Sequence, residues 1–366
     1  MKKIFRTIFE EVLIIFAKVI LWRHKPIIVA ITGSAGKTTT KEIIGSALIM
    51  AAKGEVLIGY GNLGTVSGVP LSLLKINVNL LDKNQLSFIL VAIFIFIFAF
   101  FKTLYYFLSP FYPKYIVLEV SADRIGDIKK TATYLLPDIC IITNIGAAHL
   151  EHFKTLEGVR KEKEQLAVYT KKNGLVILFG NDRNALKIKE VTKAKVIEIK
   201  GGVLNFALSA AQEIGKWLKL DLAKIKQGAE KTELPEGRFD VIRGKNSSTI
   251  IDSSYNANPV SVDYILEKFN NFVKDDGRKI VVLGDMLELG KDTLKYHQET
   301  GEKAKLYSDY LIAIGPNSKE MPADYYCESI DDAYQHLLQV IAPGDTILIK
   351  ASHGMHLNKL VSKLKA

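Results

Sequence analysis

The sequence predicts a two-domain α/β protein with parallel sheets, and three observations carry that prediction. Short apolar runs of strand length recur along the chain with helical stretches between them, the alternation that parallel sheets produce. The length, 366 residues, is enough for two or three domains at about 100–200 residues each. Near the start a strand, a glycine-rich turn and a helix follow one another without interruption, the arrangement of a phosphate-binding loop.

Composition narrows the class. Hydrophobic residues make up 48% and charged residues 24%, which excludes a disordered or low-complexity chain. The two cysteines, Cys140 and Cys327, lie far apart with no CxxC or Cys/His pairing, so neither a disulfide scaffold nor a structural zinc site is expected and a reducing cytoplasm is. The net charge of +10 suits an acidic ligand or an anionic membrane surface; no nucleic-acid partner is expected. The opening MKKIFRTIFEEVLIIFAKVILW carries Glu10 and Glu11 inside its apolar part and has no small-residue cleavage site, so export is not expected.

Taken in order, residues 1–25 read as an amphipathic helix, with Ile4, Phe5, Ile8, Phe9, Val12, Leu13, Phe16 and Ile20 on one face and Arg6, Glu10, Glu11 and Lys18 on the other. After Pro26, IIVAIT is a strand, GSAGK a turn and TTTKEIIGSALIMAA a helix. Further strands are expected at YIVLEV (115–120), DICIITNI (138–145), LVILF (175–179), TIIDS (249–253), KIVVLGDM (279–286), YLIAIG (310–315) and TILIKAS (346–352). Periodicity lapses around Thr232-Glu233-Leu234-Pro235-Glu236-Gly237, where a domain boundary is placed. The expected units are therefore 1–25, 26–232 and 233–366.

Within the second of these, an apolar insertion at about 84–112 breaks the soluble pattern. Leu86 to Phe101 is 16 residues without a charge, or about 24 Å of helix, short of the roughly 30 Å hydrocarbon core unless it continues to Leu108. Unrelieved Phe and Ile on every side favours membrane contact over a core helix. A single crossing would divide candidate site residues before and after the insertion between two compartments. Two crossings do not fit between Ile76 and Tyr115, so an in-plane helix is expected.

The loop Gly33-Ser34-Ala35-Gly36-Lys37-Thr38-Thr39 supplies backbone N–H groups and a helix N-terminus for phosphates, Lys37 for their outer charge and Thr38 for Mg²⁺. It has Ile31 where the full pattern has its first glycine, which makes it a shortened variant.

TGSAGKTTTKE resembles the Mur ligase superfamily of ATP-dependent amide-forming enzymes, and motifs along the rest of the chain strengthen the match. GVPLSLL (68–74), LEVSADRIGDI (118–128) and TNIGAAHLE (143–151) look like its central domain. GR (237–238), IDSSYNANP (251–259), LGDMLELG (283–290) and KASHGM (350–355) look like its carboxy-terminal, Rossmann-like domain. The YNANP and GDM strings are most like the branch that adds D-alanyl-D-alanine to a muramoyl tripeptide.

The resemblance implies a P-loop central domain followed by the carboxy-terminal ligase domain. It implies an ATP-dependent acid–amino acid ligase of cell-wall peptide synthesis that works through an acyl phosphate. ATP and Mg²⁺ would bind Gly33 to Thr39, Asn144, Asp252 and Tyr255, with Thr38, Glu119 and His149 on metal. Lys37, Glu119, His149, Lys163 and Arg238 would be catalytic, Lys163 as a lysine carbamylated by CO₂ with Lys161 as the competing assignment. Asn62, Ser121, Asn256, Asn258 and Lys350 would bind substrate.

Because only about 25 residues precede the first strand, a separate amino-terminal domain for the uridine-linked sugar is not expected. The span from Gln165 to Asn205 reads as abbreviated, with Gly202-Val203 in place of the usual His-Asn. The expected partners are a cell-wall peptide precursor, in soluble or lipid-linked form, an amino acid or dipeptide amine, and the inner membrane surface. A degenerate membrane-associated nucleotide-binding scaffold and a folate or polyglutamate ligase are the alternatives.

Overall fold

The computed structural model describes residues 2–52, 56–61, 63–77, 88–273 and 277–366, without the side chains of 2–5, 88–90 and 203. Asn62, an expected substrate residue, lies outside the described residues. The chain divides into two compact units, 1–145 with 160–233, and 146–159 with 234–366.

In chain order the elements run α1 (Lys2–His24), β1 (Ile27–Thr32), α2 (Lys37–Ala51), β2 (Val56–Ile58), α3 (Gly68–Leu73), α4 (Phe88–Leu108), β3 (Tyr115–Glu119), α5 (Asp127–Leu135), β4 (Ile139–Ile142), α6 (Leu150–Phe153), α7 (Leu156–Val168), β5 (Leu175–Phe179), α8 (Arg183–Leu186), β6 (Lys195–Ile199), α9 (Val203–Leu218) and α10 (Leu222–Glu230). The remainder is β7 (Asp240–Arg243), β8 (Thr249–Asp252), α11 (Pro259–Phe272), β9 (Lys279–Gly284), α12 (Thr293–Lys305), β10 (Tyr310–Ile314), β11 (Tyr325–Cys327), α13 (Ile330–Val340), β12 (Thr346–Lys350) and α14 (Asn358–Leu364).

The first unit holds a parallel sheet in the order β2-β3-β1-β4-β5-β6. Its middle strands are rich in Ile and Val and buried on both faces, as a parallel sheet covered by helices requires. β1 pairs with β3 on one side, Ile31 facing Glu119, and with β4 on the other, Thr32 facing Ile142. β2 and β3 thus lie to one side of β1 and β4 to β6 to the other, and the carboxyl ends of β1, β3 and β4 frame a switch point where such sheets bind ligands.

The second unit holds a sheet in the order β11-β10-β9-β12-β8-β7. It is mixed, not wholly parallel as expected, because β7 runs antiparallel to β8. β6 also corrects the sequence reading, which saw no strand between LVILF and the helix beginning at 203. KVIEI carries Lys195 and Glu198 and lies at the sheet edge, so it lacks the uninterrupted apolar run that marks a covered strand.

Beside the first sheet, α1 and α4 close a small core of Leu13, Ile20, Leu71, Leu74, Ile76, Ile95, Ala99 and Tyr106. Phe16 meets Phe96 and Phe100 at ring-centroid distances of 5.9 and 6.3 Å. The two helices end together: Arg23 Nε donates to the Phe107 carbonyl at 3.3 Å, and the His24 ring lies 2.8 Å from the Tyr106 carbonyl and stacks on Tyr112. These side chains satisfy carbonyls that the last turn of α4 leaves without helical partners. On its other flank α1 is held to α5 by Lys130, which reaches Glu11 at 2.7 Å and Glu10 at 3.5 Å.

Candidate active site

The first unit gathers its candidate residues around the loop between β1 and α2. Gly36 has φ +79° and leads into α2, a left-handed geometry that glycine adopts without a Cβ penalty. Gly33 is required for space, since a Cβ there would sit 1.8 Å from Thr143 Oγ1. The loop is held from the end of β4: Asn144 Oδ1 accepts from the Ser34 and Ala35 amides at 3.0 and 2.8 Å, and Thr143 Oγ1 donates to the Ala35 carbonyl at 2.6 Å. Asn144 is thus a buried residue that shapes the loop. Thr143, which the sequence reading passed over, does the same; its only signal is its place beside Asn144 in the TN string.

At the end of β3 the Glu119 carboxylate is buried. Oε2 accepts from Thr38 Oγ1 at 2.7 Å and Oε1 from Ser121 Oγ at 3.1 Å, while Lys37 Nζ lies 4.0 Å from Oε1. Parallel pairing of β1 with β3 produces this meeting, because it places Glu119 level with Ile31, just before the loop. Two hydroxyls and a carboxylate are hard oxygen donors of the kind Mg²⁺ takes.

Lys163 joins the same cluster. Its Nζ donates to the Gly33 carbonyl at 3.0 Å, the acceptor that Lys37 Nζ also reaches at 3.0 Å. Burial, with the charge of Lys37 beside it, pulls the Lys163 ammonium down to about 7. Lys161 is exposed, so tertiary packing separates two residues that adjacency in sequence could not. The neighbouring Glu162 is buried and accepts from the Gly126 and Ile128 amides at 2.7 and 2.8 Å, tying α7 to the start of α5. KEKE is therefore not the solvated face its composition suggests.

Lys41 was also missed. Fully buried in α2, it donates to the Gly59 and Gly61 carbonyls at 2.6 and 2.7 Å and pairs with Glu42. It lies one helical turn beyond Lys37, and that spacing in KTTTK is the signal that could have found it.

His149 belongs to the second unit. Its Nδ1 lies 2.5 Å from Glu288 Oε2 in the LGDMLELG segment, and the Glu151 amide donates to the Glu288 carbonyl at 3.1 Å. The hydrogen bond from His149 holds the Glu288 carboxyl below its usual range. Of the expected metal set, the structure brings Thr38 and Glu119 together, and pairs His149 with Glu288, a residue not anticipated. Among the described residues no group of three or more His, Cys, Asp or Glu side chains is placed to hold a metal.

Elsewhere in the second unit, the Arg238 guanidinium lies over the Tyr255 ring at 4.2 Å, and its buried Nε has no hydrogen-bond partner among the described residues. Lys350 Nζ donates to the Asn256 carbonyl at 2.7 Å, and Asn256 Oδ1 accepts from the Ala257 and His353 amides. Asp252 is buried and accepts from the Ser254 amide at 2.8 Å. Asn258 caps α11, exchanging bonds with Ser261, so its side chain serves the helix start. Asp285 of the GDM string is buried and receives the Ser318 amide and hydroxyl and the Asn317 side chain; it organises the segment after β10.

Burial, with Arg238 nearby, brings Lys350 down to about 7 as well. A lysine whose folded pKa lies below its unfolded value opposes folding while protonated. That cost is complete below about pH 7 and is relieved as pH rises toward 10.5. Stability measured in denaturant should therefore rise between pH 7 and 9, and Lys350→Met should flatten the slope; an unchanged slope in that variant would refute the assignment.

Family models match in the same order as the units. The Mur ligase middle domain matches residues 104–241, and the Mur ligase glutamate ligase domain matches 237–353. The UDP-N-acetylmuramoyl-tripeptide--D-alanyl-D-alanine ligase of Buchnera aphidicola is 28% identical over 92% of this chain and 75% of its own length; that of Escherichia coli is 25% identical over 85% and 70%. The solved MurF of Acinetobacter baumannii superposes with a TM-score of 0.78 at 23% identity, covering 95% of this chain and 78% of its own. Escherichia coli FolC in complex with ADP gives 0.63 at 15% identity, covering 96% and 93%. With both domain models matched in sequence and the fold shared throughout, the chain belongs to the Mur ligase family of ATP-dependent amide-forming ligases.

Proposed function

We propose that this ligase joins the terminal carboxylate of a muramoyl tripeptide to D-alanyl-D-alanine at the expense of ATP, in the cytoplasm. The observation that carries the reading is the convergence of Lys37, Thr38, Glu119 and Lys163 on one loop at the carboxyl ends of β1 and β3. A carboxylate oxygen of the acid attacks the γ-phosphorus, and the bond to ADP breaks. The amine nitrogen then attacks the acyl carbon, the carbon–oxygen bond to phosphate breaks, and the nitrogen gives up its proton. Every species in the first step is anionic, so rate comes from positioning and from cations at the phosphates.

In that scheme the loop amides and Lys37 bind phosphate oxygens. Mg²⁺ fits the Thr38 hydroxyl and the Glu119 carboxylate and would supply further neutralisation of the phosphates. The buried Lys163 amine, neutral in part at physiological pH, is suited to carbamylation: its lone pair bonds the carbon of CO₂ and a proton departs, leaving a new carboxylate beside the loop. His149, oriented by Glu288, is assigned to the same chemistry by family resemblance. Asp252, Tyr255 and Arg238 form the second unit's nucleotide set, and Lys350 with Asn256 the set for the amine.

A lipid-linked form of the acid is a second reading, favoured by the exposed apolar helix α4. Phosphate release with Mg-ATP tests both. The UDP-linked and lipid-linked tripeptides and a folate acid should be offered in parallel, each with D-alanyl-D-alanine or glutamate. Release requiring a muramoyl acid and D-alanyl-D-alanine is expected. Release only with the folate acid and glutamate would reassign the substrate, and none with any pair in a protein that binds ADP would make it a scaffold.

A further inference from the structure

Helix α4 carries none of the residues assigned above to nucleotide, metal or amine. Its buried stripe is Ala92, Ile95, Ala99, Thr103 and Tyr106, facing α1 and the core beneath. Around the rest of the helix Ile93, Phe94, Phe96, Ile97, Phe98, Phe100, Phe101, Leu104, Tyr105, Phe107 and Leu108 are exposed, and only 28% of Val91–Leu108 is buried. Soluble proteins rarely leave a contiguous apolar surface of this extent uncovered.

Three features identify what covers it. The exposed apolar surface turns most of the way round the helix, whereas a partner helix would take a single stripe; a solvent of hydrocarbon contacts every direction. Where α1 and α4 end together, Trp22 (69% exposed) and Arg23 on the last turn of α1, Tyr105 on the last turn of α4 and Phe111 just beyond it are all exposed, and Lys75 and Lys102 both lie over Tyr106 on that last turn, the mixture of amphipathic rings and cations found at headgroup depth. Lys75 and Lys102 lie over the Tyr106 ring at 5.5 and 5.6 Å, and neither has an acidic partner among the described residues. Two unneutralised ammonium groups at the foot of an apolar helix match an anionic headgroup.

We propose that α4 docks this enzyme in the plane of an anionic lipid bilayer, its outward flank in the acyl boundary and Lys75 and Lys102 at the phosphates. The helix lies flat because one flank is packed on the first unit from Ala92 to Tyr106. It does not span, because β1 before it and β3 after it are hydrogen-bonded neighbours in one sheet. In-plane binding of this kind needs only shallow burial, about 5–10 Å, plus electrostatic attraction.

The test is flotation of the full chain with vesicles of phosphatidylcholine alone or mixed with phosphatidylglycerol, beside light scattering without lipid. The protein should float with the anionic vesicles and release at high salt. In a Trp217→Phe background, brominated lipids should quench Trp22. Phe94→Glu with Phe101→Glu should abolish flotation, and Lys75→Gln with Lys102→Gln should remove the preference for anionic lipid, both retaining the thermal shift given by ADP. A protein that remains at the bottom of the gradient with every vesicle, as a monomer or as a dimer closed through α4, overturns the proposal. So does flotation unaffected by the glutamate pair in a variant that still responds to ADP.

Discussion

Replacing Lys37 by alanine should lower nucleotide affinity by about 100-fold or more and reduce phosphate release to background, while the unfolding midpoint moves little. The ammonium donates to the Gly33 carbonyl at 3.0 Å and lies 4.0 Å from Glu119, so it faces the loop and not the apolar core. What is lost is a cation at the loop, where phosphate charge accumulates and water is scarce. Calorimetric titration of ADP against both proteins measures the difference. An affinity within a few-fold of the parent in a folded Lys37→Ala protein would show that the loop does not hold phosphate.

The second large effect belongs to Glu119 and Lys163. Substituting Glu119 by glutamine or Lys163 by alanine should reduce kcat by roughly 10²–10³ with a much smaller change in ATP binding, since both act mainly on charge that develops as phosphate transfers. Lys163→Arg separates the two explanations of the lysine. A guanidinium keeps the positive charge but forms no carbamate, so a carbamylated lysine predicts an inactive arginine variant and a parent enzyme that loses rate on exhaustive removal of CO₂ and regains it with bicarbonate. An active Lys163→Arg protein would mean that charge alone matters. The same burial that lowers Lys163 to about 7 predicts that the parent loses rate as pH falls below 7, because the protonated amine does not capture CO₂.

Eight strands can be read in the sequence, and they are the eight interior strands of the two sheets. Among the described residues the four that escape, β2, β6, β7 and β11, are the sheet edges. The cause is physical: an interior parallel strand is covered on both faces and must be apolar throughout, as in ICII or IVVL, whereas an edge strand is short or carries charge and blends with the loops beside it. The glycine-rich loop was legible for a related reason, since close backbone approach and a positive φ leave glycine as the residue that fits, and Gly33 and Gly36 meet those conditions.

The sequence by itself therefore determined the α/β class, the phosphate loop, the family and the ordered motifs, all of which depend on local pattern. Tertiary structure alone decided which charged side chains are taken out of water and what they meet there. It buried Lys163 and left Lys161 exposed, set Thr38 at the start of α2 against Glu119 at the end of β3, 81 residues further along the chain, paired His149 with Glu288, and committed Asn258 to the start of α11. The exposure of the outward flank of α4, by contrast, accords with the Phe and Ile that its sequence carries on every side. Burial and partnership arise from neighbours distant in the chain, and a side chain's charge state follows from those neighbours, so neither is written in the local pattern of residues.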